Sequence, residues 1–420
     1  MEIDYSKASF RDFENIPGMD CFGWAREWGK YVRDRGSVGE FNYRQTNLSG
    51  CGPEMELDIL GNGHRSFVSL VSNDYLGFTQ HHLVKAAAIA GIEKFGSGAG
   101  ASPAIGGHYA FHQAIEDKIA RFFKRDAAIV FTTGYTANSS SLQALLKKED
   151  LAILDSAVHA SVYEGCLHTN VKSFPHNNME ALEHILKSTA GKYRTRMVVV
   201  DGVYAQDGDL CPLDVLVGLC KAYGAYSVVD DAHGTGVIGK TGRGVIEVHD
   251  LFSSVDIITG TFSKTFAHVG GYVVASRELV EFLKFQSRQH IFSATLSPAS
   301  ACILQAIDLV DSEPIWMDRL WDNIDYLKTG LVSLGYDVGN TASAIVPVRI
   351  GDISLNARVT GLLLSAGVYA NQINYPAVSR KDARVRMSLM ATHTHSQLDK
   401  VLSAWEWVKS KVDLSSVLVR

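Results

Sequence analysis

A group of acidic and imidazole side chains follows directly after an apolar run in the middle of the chain. Residues 227–229 are Ser-Val-Val, and they lead into Asp230, Asp231 and His233. If the run is a strand of a parallel sheet, these side chains lie at its carboxyl end, where such sheets bind their ligands. A single aspartate in this place is more often the cap of the next helix, so the segment alone indicates no particular chemistry.

A lysine close to two hydroxyl residues follows a second apolar run. Residues 256–258 are followed by Thr261, Ser263 and Lys264, and Lys264 lies 34 residues after Asp230. Both side chains can therefore reach one cleft from the ends of separate strands. A lysine for an imine, hydroxyls for a phosphate and a carboxylate for a pyridine nitrogen are the groups that pyridoxal 5'-phosphate (PLP) requires. The two segments together predict PLP as cofactor, carried by Lys264.

Two further segments supply groups that suit such a site. The apolar run 127–131 is followed by Gly134 and Tyr135, and backbone N–H groups at the start of the next helix can bind a phosphate. His159 follows the run 151–154, and its imidazole can stack on a pyridine ring. Each signal is weak alone, because glycine turns and isolated histidines are common in loops.

Short apolar runs alternate with helix-length stretches from about residue 64 to residue 300. The sequence predicts strands over 127–131, 151–154, 197–200, 227–229, 256–258 and 272–275. Helical patterns lie between several of them, at 109–123, 181–188 and 213–223. Near-continuous apolar strands separated by helices are typical of a mostly parallel sheet covered on both faces. The predicted fold class is therefore α/β.

The pattern changes at both ends of this region. Residues 1–60 are mixed and rich in glycine, asparagine and aromatic residues, which predicts an N-terminal arm. Residues 61–300 are predicted to form the large domain. Residues 301–420 are predicted to form a smaller α+β domain, with strands at 345–350 and 384–389. A chain of 420 residues is too long for one small core, so a division of this kind is expected.

Composition and charge exclude several classes of partner. The chain has 40 basic and 45 acidic residues and a formal net charge of −5. No lysine- and arginine-rich block stands out, so nucleic acid is a poor candidate partner. No apolar stretch is long enough to span a bilayer, and the first residues lack a signal-peptide pattern. The six cysteines are scattered and lack metal-ligand spacing, so no metal site is expected. Together these features predict a cytoplasmic protein.

Seven short runs occur in a fixed order between residues 65 and 410. They are Ser72-Asn73-Asp74-Tyr75-Leu76-Gly77, Thr133-Gly134-Tyr135, His159-Ala160-Ser161, Asp201-Gly202-Val203-Tyr204, Asp230-Asp231-Ala232-His233, Gly260-Thr261-Phe262-Ser263-Lys264 and Phe292-Ser293-Ala294-Thr295. Their order and spacing resemble the α-oxoamine synthase family of PLP enzymes. The resemblance implies fold-type I, the fold of aspartate aminotransferase. The family includes serine palmitoyltransferase, aminooxononanoate synthase, glycine acetyltransferase and aminolevulinate synthase.

The resemblance implies a role in cofactor binding for several positions. Lys264 resembles the lysine that carries PLP, Asp230 the partner of the pyridine nitrogen, and His159 the histidine that stacks on the ring. His233 matches the histidine near the phenolic oxygen of the cofactor. The positions that match the phosphate site are Gly134, Tyr135, Thr261 and Ser263.

The resemblance also implies a substrate site and a partner subunit. Arg386 matches the arginine that holds the substrate carboxylate, and Asn73 is expected at the same substrate site. A guanidinium–carboxylate pair orients the substituents on Cα, and this orientation decides which bond breaks. Thr295 matches a hydroxyl that reaches the phosphate of the neighbouring subunit, which implies a homodimer with shared active sites.

The reaction that the resemblance implies is a decarboxylative condensation. An amino acid bound to PLP loses its Cα proton to the lysine and attacks an acyl thioester. Carbon dioxide leaves, and a 2-amino ketone is released. The acyl donor is a thioester of coenzyme A or of acyl carrier protein, and the two stay open.

This sequence departs from the family pattern at three positions near the expected acyl mouth. Relatives carry a Gly-Ser-Arg…Asn-Gly-Thr run, and here Pro103 replaces the arginine and His108 the threonine. Ala205 stands where a serine often follows the Asp-Gly-Val-Tyr run. These differences concern the substrates rather than the PLP site. His108, when protonated, can supply the charge that a sulfonate substrate requires.

Within the family, residues 375–378 and 387–394 resemble the C-terminal segment of bacterial serine palmitoyltransferases. The implied reaction joins serine to a long acyl chain and gives a 3-keto long-chain base, at the first step of sphingolipid synthesis. Cysteate, the sulfonate analogue of serine, is an equal alternative and would begin sulfonolipid synthesis. A glycine acetyltransferase or aminooxononanoate synthase type of activity, with another amino acid, is the further alternative.

Two interpretations outside this reaction stay open. A PLP aminotransferase or decarboxylase has the same fold, but the run that ends in Lys264 and the placement of Arg386 argue against it. A catalytically inactive partner subunit would lack the lysine, whereas Lys264, Asp230 and His159 are all present.

Overall fold

The computed structural model describes residues 3–59, 63–414 and 417–418. The chain divides into two compact units, each built from separate stretches. Unit 1 comprises Met1–Asn73, Gln206–Gly208 and Arg319–Arg420, and unit 2 comprises Asp74–Ala205 and Asp209–Asp318. Within the described residues, no helix has both the length and the apolar character that crossing a lipid bilayer would need.

The strands of the described chain are, in order, β1 (Thr46–Asn47), β2 (Glu54–Ile59), β3 (Gly63–Ser69), β4 (Ala127–Phe131), β5 (Leu151–Asp155), β6 (Asn170–Phe174), β7 (Arg196–Asp201), β8 (Tyr226–Asp230), β9 (Ile257–Thr261), β10 (Gly271–Ala275), β11 (Ile345–Arg349), β12 (Val368–Tyr369), β13 (Asn371–Ile373) and β14 (Arg384–Ser388). The helices are α1 (Cys21–Ser37), α2 (His82–Phe95), α3 (Ala110–Phe122), α4 (Gly134–Leu145), α5 (Ala160–Gly165), α6 (Met179–Ser188), α7 (Leu213–Tyr223), α8 (Val245–Val248), α9 (Arg277–Gln286), α10 (Arg288–Ile291), α11 (Cys302–Ser312), α12 (Ile315–Ser333), α13 (Ile353–Ser365) and α14 (His395–Lys411).

The main sheet of unit 2 has seven strands in the order β4-β10-β9-β8-β7-β5-β6. The strands β9, β8, β7, β5 and β6 run parallel, whereas β10 is antiparallel to both β9 and β4. Every residue of β5, β7, β9 and β10 is buried. Strands that are buried on both faces require apolar side chains at consecutive positions, which is why the sequence shows continuous apolar runs there.

The predicted α/β fold class is confirmed, and each of the six strands predicted for the large domain occurs within three residues of its predicted bounds. Strand β6 was not predicted, because four of its five residues are exposed and no apolar run marks it. The reversal of β10 was not predicted either. It follows β9 after only the residues 262–270, which is too short for the helical crossover that a parallel neighbour needs.

Unit 1 contains two smaller sheets, β1-β2-β3-β12 and β11-β14-β13. Strand β12 pairs in parallel with β3, and this pairing joins the N-terminal segment to the C-terminal one. Residues 1–73 therefore belong with residues 319–420 in one compact unit. The predicted division into 1–60, 61–300 and 301–420 has other boundaries than these two units. A long-range strand pair leaves no signal in local composition, so the sequence could not indicate it.

The strand β14, which carries Arg386, is supported from behind by Trp405 of α14. The Trp405 side chain is fully buried, and its indole N–H points at the Sδ atom of Met387 at 3.4 Å. The hydroxyl of Tyr336 donates to the backbone oxygen of Trp405 at 2.9 Å, and the two rings pack at 4.8 Å. This packing fixes the strand from which Arg386 projects.

We expect Trp405→Ala to lower the free energy of unfolding by about 3–5 kcal/mol, because it removes a large buried side chain and leaves a cavity. Trp407→Ala is the matched control on the same helix, since the Trp407 side chain is 38% exposed. Its cost should stay below about 1 kcal/mol. Denaturant unfolding followed by circular dichroism measures both values, and equal losses would contradict the assigned packing.

Candidate active site

A cavity of about 220 Å³ lies in unit 2, where three neighbouring parallel strands end. Asp201, Asp230 and Thr261 are the last residues of β7, β8 and β9, and all three line it. The carboxyl ends of parallel strands meet at one edge of the sheet, so residues far apart in sequence converge there. The lining residues are Thr133, Gly134, Tyr135, Asn138, His159, Asp201, Val203, Asp230, Ala232, His233, Thr261, Ser263 and Lys264.

The carboxylate of Asp230 is buried and held on both oxygens. One oxygen accepts from the side-chain amide of Asn138 at 2.6 Å, and the other accepts from the backbone N–H of Ala232 at 3.1 Å. The amide of Asn138 is oriented in turn, because its oxygen accepts from the hydroxyl of Thr259 at 2.6 Å. Asp230 is therefore fixed in one direction, as the partner of a ring nitrogen must be.

The imidazole of His159 is fixed by a network that leads back to Asp230. Its Nδ1 atom lies 2.8 Å from the hydroxyl of Ser161, and that hydroxyl accepts from Asn138 at 2.9 Å. Burial lowers the pKa of His159, the charge of Lys264 lowers it further, and Asp230 opposes both. A neutral, oriented imidazole suits stacking on an aromatic ring.

Asp201 is a second buried carboxyl in the same cavity. Its oxygen accepts from the backbone N–H of His159 at 3.3 Å. Burial raises the pKa of Asp201 well above its usual range, and the nearby charge of Asp230 raises it further. The ionised form of Asp201 is therefore disfavoured both by burial and by the neighbouring carboxylate.

The segment that contains Lys264 follows β9 and is ordered by its own hydroxyls. The side-chain oxygens of Thr261 and Ser263 lie 2.6 Å apart, and the hydroxyl of Thr261 also donates to the backbone oxygen of Gly270 at 2.8 Å. These contacts keep both hydroxyls in the wall of the cavity beside Lys264.

The N-terminus of α4 faces the same wall. Thr133 caps this helix, and its hydroxyl accepts from the N–H of Thr136 at 3.0 Å. At Gly134 a Cβ atom would lie only 2.7 Å from the Cβ atom of Thr261, so glycine is required for this close approach. Exposed N–H groups at a helix start, close to two hydroxyls, form a site for a phosphate.

His233 completes the set of residues predicted for the cofactor. It lines the cavity, and its Nδ1 atom lies 2.6 Å from the hydroxyl of Tyr75, which is fully buried. Tyr75 therefore fixes the ring of His233. From the run 72–77 only Asn73 was predicted to have a role, at the substrate site, and Tyr75 of the same run contacts His233 in the wall of the cavity.

One imidazole of unit 2 bridges two carboxylates. His176 contacts Asp155 through Nδ1 at 3.1 Å and Asp209 through Nε2 at 2.9 Å. Burial alone would lower the pKa of His176, but the hydrogen bonds to both carboxylates outweigh it and raise the pKa to about 10. Asp155 also accepts from the backbone N–H groups of Ala157 and Asn177. The bridge thus orders the turn that leads to His159.

The structure brings together eight of the nine residues predicted for the cofactor, and it leaves Thr295 out. Thr295 lines a separate small cleft of unit 2 together with Pro103 and His290. His108, predicted for the substrate side chain, is exposed and lies 3.3 Å from Gln113. Neither Thr295 nor His108 lines the cavity of its own chain.

Asn73 and Arg386, the other predicted substrate residues, lie in unit 1 and contact each other. Arg386 is buried, and its guanidinium donates to the side-chain oxygen of Asn73 at 3.1 Å. Ser388, two residues further along β14, has its hydroxyl 3.4 Å from the same oxygen. The pair that was predicted to bind substrate therefore exists as a pair in the folded unit.

Sequence reasoning missed Asn138, Asp201 and His176 as functional residues. Asp201 carries the same signal as Asp230, since it follows the apolar run 197–200 directly. Asn138 lies one helical turn after Gly134, so the face of α4 that meets the cavity could have indicated it. His176 has no such signal, because its partners are 21 and 33 residues away.

The residues around the cavity fit PLP. A buried, oriented carboxylate, a neutral imidazole, a lysine and a helix N-terminus with two hydroxyls surround one space. These are the groups that the ring nitrogen, the ring face, the carbonyl carbon and the phosphate of PLP each require.

Comparison with known proteins gives the same class. Residues 65–404 match the family described as aminotransferase class I and II. The 8-amino-7-oxononanoate synthase of Thermoanaerobacter pseudethanolicus is 40% identical over 377 residues, which cover 89% of this chain and 94% of that protein. The structure of Sphingomonas wittichii serine palmitoyltransferase is 32% identical with a TM-score of 0.87, and covers 94% of this chain and 99% of that one. A high-resolution structure of SPT with PLP matches at 31% identity, a TM-score of 0.88 and the same coverage.

The chain belongs to the aminotransferase class I and II family. Within it, the chain is a PLP-dependent enzyme of the α-oxoamine synthase type, an acyltransferase. The predicted fold class, enzyme class and cofactor are confirmed.

We expect His176→Gln to lower the free energy of unfolding by an amount that depends on pH. The folded-state pKa of about 10 lies above the unfolded value of about 6.5. The stability that protonated His176 contributes is therefore fully present below pH 6.5 and is lost as pH rises towards 10. The difference between wild type and variant should be largest near pH 6 and shrink towards pH 10.

The control for this experiment is His168→Gln, which changes an exposed histidine in the same unit. Its difference from wild type should stay small at every pH. Urea unfolding at several pH values measures both differences. A His176→Gln difference that does not change with pH would contradict a protonated bridge.

Proposed function

We propose that this enzyme joins a small polar L-amino acid, serine or its sulfonate analogue cysteate, to a long-chain acyl thioester with loss of carbon dioxide. The proposed product is a 3-keto long-chain base. The proposed location of the reaction is the cytoplasm. The observation that carries the proposal is the set of Lys264, Asp230 and His159 around one cavity. It is supported by the likeness to serine palmitoyltransferase structures over 94% of the chain.

Each residue of the cavity has a defined task in this proposal. PLP, when bound, withdraws electrons from the Cα atom of the amino acid. Asp230 would keep the ring nitrogen protonated, which its fixed carboxylate can do without reorganisation. His159 would stack on the ring, and His233, oriented by Tyr75, would donate a hydrogen bond to the cofactor. The ε-amine of Lys264 would hold the cofactor and act as the base for the Cα proton.

The substrate carboxylate is assigned to Arg386, with Asn73 as the residue that orients its guanidinium. The bond to be broken must stand perpendicular to the plane of the electron sink, and the carboxylate contact sets that angle. The Cα atom of the amino acid would then attack the carbonyl carbon of the thioester, the thiol would leave as the C–S bond breaks, and the carboxyl group of the amino acid would be lost as carbon dioxide. The overall balance is one amino acid and one acyl thioester to one 2-amino ketone, one thiol and carbon dioxide.

We propose a homodimer in which Thr295 reaches the phosphate of the neighbouring subunit. The segment around it exposes large apolar side chains that a monomer would leave in water. Phe292 is 79% exposed, and Ile105, in the loop that also contains Pro103, is 85% exposed. Apolar side chains with this exposure on one unit are typical of a covered surface.

A second candidate function is the synthesis of 8-amino-7-oxononanoate, and curated relatives at 40% identity favour it. The name of that product describes a nine-carbon acid with an amino and an oxo group on neighbouring carbons. The same condensation gives it from alanine and a seven-carbon acyl thioester that ends in a carboxylate. The two candidates therefore share every cofactor contact and differ only in the amino acid and the acyl tail.

Lys264→Ala should abolish turnover and the yellow colour of the holoenzyme, because Lys264 is the only amine among the described residues that line the cavity. Borohydride reduction of the wild type, followed by peptide mapping, should place the pyridoxyl group on Lys264. Lys148→Ala, which changes an exposed loop lysine, is the control and should keep both colour and activity. A label on a different lysine would refute the assignment.

Release of carbon dioxide and of free thiol should distinguish the substrates when purified enzyme is given each of four amino acids. Serine or cysteate with palmitoyl thioester should give the highest kcat/KM if the first proposal holds. Alanine with a carboxylated seven-carbon thioester should give it if the second holds. Glycine completes the panel.

His108→Ala separates serine from cysteate. If His108 pairs with the sulfonate, the variant should lose about tenfold or more in kcat/KM with cysteate and change little with serine. Equal losses for the two amino acids would remove His108 from the substrate site. Arg121→Ala, which changes another exposed cation of the same unit, serves as control.

A further inference from the structure

A second cavity, of about 830 Å³, lies wholly within unit 1. Its walls come from α1, from residues 38–46, from the end of β2 and from the last turns of α13. None of these residues lines the PLP cavity. Sites for small molecules commonly measure about 300–1,000 Å³, so this cavity has the size of a ligand site.

Most of the wall is apolar. Trp28 and Val32 of α1 contribute one side, Phe41 lies next to them, and Leu362 and Leu364 of α13 contribute another side. Trp28 and Phe41 pack edge to face at 6.2 Å. An apolar wall of this extent favours a hydrocarbon chain or ring over a polar metabolite.

A buried amide without a partner belongs to the same wall. The Asn42 side chain is only 7% exposed, and its Nδ2 atom has no hydrogen-bond partner among the described residues. The backbone around it is anchored, since the hydroxyl of Tyr369 donates to the oxygen of Asn42 and that of Tyr43 to the oxygen of Gln372. A buried polar group of this kind is costly unless something bonds to it, so a polar ligand atom is expected there.

The charged residues of the wall favour an anion. Arg44, Arg65 and Arg358 line the cavity, and none of them is ion-paired within residues 3–59 and 63–414. Arg65 donates to the backbone oxygen of Ser365 at the end of α13, which occupies part of its capacity. Of the two carboxylates in the wall, Glu40 already pairs with Arg35 at 2.8 Å, which leaves Asp58. Arg44 and Arg358 are thus in excess.

We propose that this cavity binds an amphipathic anion, a medium-length or long apolar chain that ends in one carboxylate, sulfonate or phosphate. The chain lies against the aromatic and aliphatic wall. The head group accepts a hydrogen bond from the amide of Asn42 and pairs with Arg44 or Arg358. The site is separate from the PLP cavity, and the proposal does not depend on which amino acid or acyl donor the enzyme uses.

Decanoate is the probe, and its binding to the PLP-loaded enzyme is measured by isothermal titration calorimetry. We expect saturable binding that Asn42→Leu weakens about tenfold, because a hydrogen bond to a charged head group is lost. The double variant Arg44→Ala with Arg358→Ala should weaken it at least as much. Both arginines are exposed, so this variant keeps the test valid even if the buried Asn42 position does not tolerate leucine.

Arg33→Ala is the matched control, since Arg33 is an exposed arginine of α1 outside the cavity wall. It should bind decanoate as the wild type does. Decanol, which has the chain without the charge, should bind at least tenfold more weakly than decanoate. Inorganic phosphate, which has the charge without the chain, should not compete.

Three results would overturn the proposal. The first is no saturable binding of decanoate, and the second is equal binding by the wild type and the double arginine variant. The third is full competition by phosphate, which would show a plain anion site. The Lys264→Ala variant tests the proposed function, and the decanoate experiments test the cavity of unit 1. Either proposal can therefore fail while the other stands.

Discussion

Asp155, Asp201 and Asp230 end three neighbouring strands, β5, β7 and β8, and their carboxyls are buried at one edge of the sheet. Buried carboxylates repel each other, so each must be paired, bonded or protonated. The three carboxyls differ in this respect: His176 pairs with Asp155, Asn138 donates to Asp230, and burial raises the pKa of Asp201 well above its usual range. The carboxyl group of Asp230 is thereby oriented in the wall of the cavity.

A fourth buried carboxyl, that of Asp231, holds the backbone around it in place. Asp231, next in the chain, accepts from the backbone N–H of Val245, while burial raises its pKa to about 7. At Gly244 and Gly234 a Cβ atom would lie about 1.7 Å and 2.1 Å from the carboxyl oxygens of Asp231. Only glycine lets the backbone wrap this closely around a buried carboxyl. The loop after β8 is therefore shaped by Asp231, while Asp230 is left to face the cavity.

The features that the sequence could predict are those with a local signal. Buried strands appear as apolar runs, and Lys264, Asp230 and His159 could be found because each follows such a run. The features that it could not predict depend on distant partners. The bridge through His176 and the parallel pairing of β12 with β3 join residues whose types say nothing about one another. The role of Asn42 could not be predicted for the same reason, since an unpartnered amide is recognisable only in the folded chain.

Two of the three departures from the family pattern, Pro103 and His108, lie outside the set of residues that line the PLP cavity. Pro103 and Thr295 line one cleft with His290, and the ring of His108 stacks at 5.9 Å on His112. Burial lowers the pKa of His112 and of His290 to about 4, so neither carries charge at neutral pH. In the proposed dimer this region would face the partner's site, so it would contribute Thr295 and the substrate contacts in trans, while Lys264, Asp230 and His159 come from one chain.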